Sequence, residues 1–511
     1  MNYSFNLITQ PWIPCLQVNG QIKEFSLQEV LLNGNQLRSV QTNSPLETAA
    51  VYRLLLALLH SALRGPKRGS DWQKLWKSPT VAHDQIESYL DLWLHKFDLF
   101  DPRYPFYQAA HPRAKPKSVI TLIFDMASGN NASLFDHHIE ETGVSLTPAQ
   151  AALGLVAAQT FGLAGTFLEG ALFTDSPWSR GTIFFLEGDD LSQTLLLNLL
   201  PYPDDGVFPS IGVDRPAWEQ DDPFASDRQI PNGYLDYLTW QSRRILLYPQ
   251  ITDEQLYVRN MTMGPGLKLV ENIFDPMKAY RKNEKKEFWF SIRFSEERAL
   301  WRDSETFLGV KTQFGQPPQP FKWFIERNAE ESSHKFRFMA LGMANDKAKV
   351  EFFAQQHLPV SKEYFVSPEL VESLRNGLDL SEKIRNILMD SAKLMALLLI
   401  SPKSDGKKWK DVDRVSKEQA AKLVLYWNIE RYYWQQIERD FYRLLEDLPV
   451  KSEAIQQWQE ALKWAAEKSL TQGSSMAGTD AIALKAGVRA RARFSGSMKS
   501  LLKTQIEEVT A

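Results

Sequence analysis

The sequence predicts an α+β fold: a large mixed α/β N-terminal domain, residues 1–365, followed by a C-terminal antiparallel four-helix bundle, residues 366–511. A chain of 511 residues is long enough for two or three domains. Strand and helix signals alternate through the first part, and strand signals vanish after about Val366. Helical segments with short connections then follow, which is the pattern of a bundle.

The composition is that of an ordinary globular protein, with 43% hydrophobic and 24% charged residues. The net charge is −3, so any site for a polyanion must be a local basic patch. Cys15 is the single cysteine, which excludes internal disulfides and a cysteine-rich zinc site and fits a cytoplasmic protein. The first residues lack a signal-peptide pattern, and apolar runs such as 396–400 are short, so we expect no membrane partner.

The first elements are a hairpin and two helical regions. Residues 5–8 read as a strand, and residues 22–25 can pair with it through a turn at Asn19-Gly20. Residues 45–64 carry apolar side chains at helical spacing, and Gly65-Pro66 ends that helix. Residues 72–97 are largely helical, and a Pro-rich turn follows them.

The central stretch, residues 128–170, combines a polar loop, a helix rich in small residues and a glycine turn. Residues 118–124 before it are strand-like, and Thr147-Pro148 opens the helix. Small residues at 161–165 then make a surface that another backbone can approach closely. We therefore expect a partner to be held at this stretch.

Further strands and one long connection complete the first domain. Strand and helix signals occur at 181–186, 191–200, 242–248, 287–294 and 335–341. Residues 201–233 read as a surface connection, and residues 261–286 as irregular and increasingly basic. Residues 342–348 interrupt the strand that starts at 335, and Asn345-Asp346 favours a tight hairpin tip there.

The predicted bundle has helices at 374–400, 417–448, 454–466 and 481–504. The last of these contains no acidic residue between positions 481 and 505, yet it carries six basic ones: Lys485, Arg489, Arg491, Arg493, Lys499 and Lys503. A solvated helix face is one interpretation of such a run. Contact with phosphates, which gives affinity but no sequence information, is the other.

An enzyme is the main alternative to a binding protein. Asp125, Asp136, His137 and His138 could bind a metal ion, as in a metal-dependent nuclease, but their spacing matches no established ligand motif. Polar loop groups that face water are the commoner explanation. The sequence contains neither G-x-x-x-x-G-K-[ST] nor G-x-S-x-G, and Cys15 beside Pro14 reads as a buried, inert thiol. We expect no cofactor.

Five stretches, taken in order, resemble one protein family, the CasA large subunits of type I-E CRISPR surveillance complexes (Cascade). They are FNLITQPWIP at 5–14, SPLETAAVYRLLLALLHSAL at 44–63, FDLFDPRYPFYQ at 97–108, NNASLFDHH at 130–138 and DPMKAYR at 275–281. The resemblance runs from Phe5 into the final helix. It implies a mixed α/β domain followed by a four-helix bundle, and a subunit without catalytic activity.

The resemblance also implies partners. Such a subunit lies beside the crRNA 5′ handle and the other Cascade subunits, and recognises the protospacer-adjacent motif (PAM) in double-stranded target DNA. It starts strand separation and helps recruit a separate helicase-nuclease. A purely architectural subunit, which contacts only protein and RNA, is a further alternative.

The DNA-binding residues that follow from the resemblance and from the basic helix are Asn130, Asn131, Phe135, Asp136, His137, Gly162, Leu163, Ala164, Gly165, Lys268, Asn345, Asp346, Lys347, Ala348, Arg489, Arg491 and Arg493. The glycine loop has only two glycines here. Lys347 occupies a wedge position that is glutamine in some family members. We expect Lys347 at an exposed turn, close to Gly162–Gly165 and to Lys268.

Overall fold

The computed structural model describes residues 3–510 apart from 125–143, 169, 202–211, 226, 272, 284–287, 309–314, 329–335, 347–348 and 403–411. At 325–328, 336, 346 and 502–510 it describes the backbone alone. The chain forms two compact units, Met1–Val366 and Ser367–Ala511. The first mixes helices and small sheets and the second is helical, which confirms the predicted fold class.

The described strands all belong to the first unit and pair antiparallel. They are β1 (Ile13–Gln17), β2 (Ile22–Phe25), β3 (Leu37–Val40), β4 (Lys117–Ser118), β5 (Gly165–Leu168), β6 (Ala171–Phe173), β7 (Ile183–Glu187), β8 (Arg243–Thr252), β9 (Gln255–Pro265), β10 (Tyr280–Asn283), β11 (Phe288–Ser291), β12 (Gly315–Gln316), β13 (Phe336–Asp346) and β14 (Lys349–Val360). The sheets have the orders β2-β1-β3, β11-β10-β12, β14-β13-β7, β4-β9-β8 and β5-β6.

The helices of the first unit surround one core. They are α1 (Leu27–Leu32), α2 (Pro45–Leu63), α3 (Gly69–Lys77), α4 (His83–Trp93), α5 (Pro148–Phe161), α6 (Leu191–Asn198), α7 (Tyr234–Leu238), α8 (Ser304–Phe307), α9 (Gln319–Asn328) and α10 (Glu363–Val366). Helices α2 and α5 pack against each other and are buried along almost their whole length.

Helix α2 forms as the sequence predicts, with Pro45 in its first turn and Arg64 in the left-handed conformation at its end. By length and composition this helix is also long and apolar enough to cross a membrane, but 89% of its apolar 18-residue stretch is buried inside the fold. The central helix of a protein core has the same length and composition, so burial in the core explains the apolar residues of α2.

Three strand predictions are wrong in detail. Asn6 forms an isolated bridge with Asp98 and residues 7–9 form a turn. The partner of β2 is β1, which places Pro14 opposite Glu24. Strand β4 is only two residues long, because the chain enters a 3₁₀ turn at Val119–Leu122. Strand β13 does not stop at Gly342 but continues to Asp346.

Long-range pairing also makes strands where local patterns indicate none. Residues 261–265 belong to β9, and residues 280–283 form β10, within a region that reads as irregular. Strand β9 pairs with β8 along its whole length. Such pairing satisfies backbone groups whatever the local alternation of side chains.

The described part of the second unit contains α11 (Pro368–Ile400), α12 (Arg414–Trp427), α13 (Ile429–Asp447), α14 (Ala454–Met476) and α15 (Ala481–Thr510). Helix α11 packs against the other four. The single helix predicted over 417–448 is wrong, because Asn428 adopts φ 52° and ψ 30° and separates α12 from α13. An amide side chain tolerates this left-handed conformation better than most side chains do.

The break at Asn428 has a packing consequence. Ile429 is buried, and a Cβ atom at Gly473 on α14 would lie 2.3 Å from its Cδ1. Trp427, Trp434 and Phe441 are buried at the predicted seven-residue spacing. The two short helices together therefore occupy the place of one bundle helix.

Candidate nucleic-acid interface

The glycine turn joins helix α5 to strand β5. Thr147 and Gln150 form a capping box at the start of α5, and Pro148 occupies its first turn. At the other end Gly162 N–H donates to the Ala158 carbonyl (3.1 Å), and its carbonyl accepts from Ser176 N–H (2.8 Å). The turn thus leaves a rigid helix and is tied to the segment 174–181.

Arg243, the first residue of β8, braces this turn from inside. Its Nη2 donates to the Leu163 carbonyl (2.8 Å) and its Nη1 to the Thr174 carbonyl (2.9 Å). Burial lowers the pKa of the guanidinium to about 10, against the opposing charge of Asp175, so the group is still protonated at neutral pH. Sequence reasoning missed this residue because its role depends on long-range packing.

The two glycines of the turn have different surroundings. A Cβ atom at Gly162 would lie 2.6 Å from Arg243 Nη2 and 2.8 Å from the Ala158 carbonyl oxygen. A Cβ atom at Gly165 would meet nothing within 4 Å. Gly162 is therefore needed for internal packing, and Gly165 leaves room for a partner.

Asp175 organises charges beside the turn. Its Oδ1 accepts from Ala164 N–H (2.8 Å), and its Oδ2 accepts from Arg180 Nε (2.9 Å). Burial, and then the positive charge of Arg180, lower the pKa of Arg293. Arg180 and Arg293 thus bring two cations to this region. They lie in short connections where no spacing pattern singles them out.

Lys268 is exposed on the connection after β9. The backbone just before it packs on residues 241–243, since Leu267 N–H donates to the Gln241 carbonyl (2.9 Å). A Cβ atom at Gly266 would lie 2.4 Å from that carbonyl oxygen and 2.6 Å from Arg243 N. The Lys268 connection and the glycine turn therefore rest on the same short segment of chain.

The β13–β14 hairpin also reaches this region. Its last pair is Asp346 opposite Lys349, after a bulge between Ala344 and Asn345, and Asn345 is half-buried. Lower in the hairpin, a Cβ atom at Gly342 would lie 3.3 Å from the carbonyl oxygen of Gly181, at the end of the segment 174–181. Lys347 and Ala348, between the last pair in sequence, lie outside the described residues.

The polar loop also lies outside the described residues, and with it Asn130, Asn131, Phe135, Asp136 and His137. Asp125 and His138 of the hypothetical metal site fall in the same gap. Elsewhere, the described ranges contain no group of three His, Cys, Asp or Glu side chains that could hold a metal ion.

Two side chains of the DPMKAYR motif form hydrogen bonds to the segment 174–181. Asp275 accepts hydrogen bonds from Trp178 Nε1 (2.6 Å) and from the Tyr237 hydroxyl. Lys278 is buried and donates from Nζ to the Pro177 carbonyl (2.7 Å). Burial lowers the pKa of Lys278 to about 8. This motif therefore stabilises the platform on which the glycine turn rests.

The basic residues of α15 lie on its exposed side but not in one stripe. Lys485, Arg489, Arg491, Arg493 and Lys499 are exposed, whereas Ala483, Ala486, Ala490, Phe494 and Met498 are buried. Lys485, Arg489 and Arg493 follow each other at intervals of four and form one ridge. At about 100° per residue Arg491 projects from the opposite flank, roughly 160° around the helix from Arg493.

Comparisons with known proteins agree with this architecture. A family profile described as CRISPR-associated protein Cse1 matches residues 6–469. The CRISPR-associated protein CasA/Cse1 of Thermus thermophilus is 32% identical over 505 residues, which is 96% of each chain. A crystal structure of Thermus thermophilus CasA matches with a TM-score of 0.82 and 28% identity over 98% of this chain and 100% of that one.

Two further solved structures have the same fold. The crystal structure of Thermobifida fusca Cse1 matches with a TM-score of 0.75 and 25% identity, over 97% of this chain and 98% of that one. A chain of a structure described as a CRISPR RNA-guided surveillance complex matches with a TM-score of 0.78 and 19% identity, over 96% and 99% of the two chains. Sequence and fold together show that the chain belongs to the CRISPR-associated CasA/Cse1 family.

Proposed function

We propose that this chain is the non-catalytic large subunit of a type I-E CRISPR surveillance complex. Its task is to recognise the PAM in double-stranded target DNA, to start strand separation and to help recruit the helicase-nuclease. Membership of the CasA/Cse1 family supports this role. Its other partners are the crRNA 5′ handle and the remaining subunits, in the cytoplasm.

The unobstructed side of Gly165 is the observation that carries the proposal. No described atom lies within 4 Å of where a Cβ atom would be, so a groove edge can approach the backbone. Arg180, Arg293 and Lys268 supply positive charge near the same framework. Contacts to phosphates position a protein on DNA, and a few groups in the minor groove suffice for its degenerate pattern.

Strand opening is assigned to the hairpin, with the tip residues Asn345 to Ala348 as the wedge. Unstacking one base step costs a few kcal/mol. Pairing between guide RNA and target then supplies the sequence specificity. The polar loop with Asn130 and Phe135 is assigned to the same DNA and RNA contacts, and the α15 ridge to the DNA backbone.

Electrophoretic binding by the assembled complex, with and without this subunit, tests the proposal. Motif-bearing duplex DNA should be retained better than motif-free DNA only when the subunit is present. Equal retention of both DNAs with the subunit would contradict PAM recognition. Nuclease activity of the purified chain with Mg²⁺ or Mn²⁺ would contradict the non-catalytic role.

A further inference from the structure

A cleft in the first unit lies beside the family motif at 97–108, which the proposed function does not use. Its volume, including the mouth, is about 540 Å³. Aromatic side chains form much of its wall, and the lining includes Tyr104, Tyr107, Trp218, Phe224, Gln241 and Lys96. Concave sites with aromatic walls and a few polar groups are the usual places where small planar ligands bind.

The aromatic wall is pre-arranged by the motif. Phe106 and Tyr107 stack with centroids 4.3 Å apart and planes 6° apart, and Trp218 lies 6.1 Å from Tyr107 at 26°. Tyr107 adopts φ 56°, a left-handed conformation that bulky residues rarely adopt. Such backbone strain is found preferentially at functional sites. The ring of Tyr107 is thus held in the cleft against the local backbone preference.

Two largely buried polar side chains of the cleft make no side-chain hydrogen bond to another described residue. Tyr107 is 8% exposed and Gln241 is 5% exposed. Within the described ranges, neither the Tyr107 hydroxyl nor the Gln241 side-chain amide makes a hydrogen bond. Both residues line the open cleft, so a ligand bound there can take the place of water at these polar groups.

Two other polar side chains of the cleft, Gln108 and Trp218, already make hydrogen bonds within the chain. Gln108 Nε2 donates to the Leu99 carbonyl (2.6 Å), and its Oε1 accepts from Leu247 N–H (2.9 Å). Trp218 Nε1 donates to the Tyr89 hydroxyl (2.8 Å), so Trp218 offers the cleft its ring only. The available hydrogen-bonding groups are therefore a neutral donor and a neutral amide.

The mouth of the cleft is charged. Lys96 Nζ lies 3.6 Å from the centre of the Tyr104 ring, and Arg103 is exposed next to it in sequence. Asp221 and Asp222 are exposed on the lining as well. The mouth therefore carries charges of both signs, and Lys96 and Arg103 are the side chains there that can contact an anion.

We propose that this cleft binds one unstacked nucleobase of a single-stranded nucleic acid. The base packs against the aromatic wall of the cleft, and its polar edge bonds the Tyr107 hydroxyl and the Gln241 amide, as bases do in other single-strand readers. Lys96 and Arg103 take the adjoining phosphate. An arginine side chain of a peptide is the rival ligand, but the described buried groups of the cleft include no carboxylate to pair with it.

Titration calorimetry of the full chain with 5′-phosphorylated trinucleotides tests this inference. RNA and DNA trinucleotides are compared, because the base could come from the guide or from an opened target strand. Tyr107→Phe and Gln241→Met keep the volume of each side chain and remove its polar group. Each should weaken binding by about tenfold. Gln419→Met, an exposed amide on α12, is the matched control and should bind like the parent.

Thermal melting of the variants separates loss of binding from loss of fold, since both cleft residues are buried. No saturable binding of any trinucleotide, or equal binding by both cleft variants and the parent, would overturn the inference. So would saturable binding of an arginine-containing tripeptide that the nucleotides do not displace. The nucleic-acid source rests on the proposed function, but binding of free trinucleotides does not depend on PAM recognition, so either idea can fail alone.

Discussion

At the residue scale, the two glycines of the turn at Gly162–Gly165 have different surroundings. Gly162 makes room for the Arg243 guanidinium, whereas Gly165 faces open space. Both residues look alike in sequence. Their surroundings assign them different tasks, and matched substitutions can tell the two tasks apart.

Gly162→Ala should lower the free energy of unfolding by about 1–3 kcal/mol, because the added methyl group overpacks against Arg243 and the Ala158 carbonyl. Gly165→Leu should change it by less than about 0.5 kcal/mol. The same leucine should weaken motif-dependent DNA binding by the assembled complex roughly tenfold or more, since it fills the space reserved for the groove. Urea unfolding and electrophoretic binding measure the two effects.

Gly69→Leu is the control, because a Cβ atom at Gly69 also meets nothing within 4 Å and the residue lies at the start of α3. It should leave both stability and DNA binding near those of the parent. Normal DNA binding by Gly165→Leu would remove the glycine turn from the interface.

The buried Lys278 makes the free energy of unfolding depend on pH in the alkaline range. Its pKa is about 8 in the folded protein, against 10.5 for an unperturbed lysine, mainly because of burial. Between these values the unfolded chain binds more protons, so this group's contribution to stability rises with pH over that range. Asp275 and Asp175 oppose the shift, and Arg53 and Arg293 add to it.

Comparison of the parent with Lys278→Met separates the effect of Lys278 titration on stability from that of the buried tyrosines. The parent should gain about 1–3 kcal/mol relative to the variant between pH 8 and 10.5, measured by urea unfolding at each pH. A constant difference between the two proteins across this range would show that Lys278 titrates normally.

At the element scale, the break between α12 and α13 depends on one residue. Asn428 holds a left-handed conformation that costs an ordinary L-residue about 1–2 kcal/mol. Asn428→Ala should therefore lower the stability of the full chain by about this amount, whereas Asn428→Gly should be nearly neutral. Urea unfolding compares the two, and equal losses would mean that the amide matters through its contacts instead.

Helix α15 provides a test in which an arginine on its opposite flank serves as the control. Replacing Lys485, Arg489 and Arg493 with Ala should weaken DNA binding for all sequences alike. The slope of log K against log salt should fall by about 0.9 for each lost phosphate contact. Arg491→Ala, on the opposite flank, should change the slope little. An equal effect of Arg491→Ala would show that no single ridge meets the DNA.

At the scale of the whole molecule, the chain brings together parts that lie far apart in sequence. The glycine turn, the Lys268 connection and the β13–β14 hairpin all join the framework of Asp175, Arg243 and the motif at 275–281. A rigid framework of this kind can dock a duplex and hold a wedge beside it. The prediction for the wedge residue therefore concerns the assembled complex.

Lys347→Ala should impair strand opening more than initial DNA contact, because a wedge acts after docking. Fluorescence of a base analogue next to the PAM measures opening, and electrophoretic binding measures contact. Lys349→Ala, an exposed lysine at the start of β14, is the matched control. Normal opening by Lys347→Ala would leave the wedge role without support.

Local signals in the sequence determined the helices and the fold class. Capping residues, proline and glycine act over a few positions, so the helix Pro45–Leu63 and the helical character of the second unit could be predicted, although the break at Asn428 could not. Five short motifs in order were enough to indicate the family. Neither inference needs to know which residues meet across the fold.

The tertiary structure alone decided how those residues are used. Strand partners depend on distant segments, which is why β1 and not residues 5–8 pairs with β2. The roles of Arg243, Gly162 and Lys278, and the placement of Tyr107 and Gln241 in one cleft, arise from close packing between such segments. No local pattern reports burial of this kind, because a side chain acquires it only when the chain has folded.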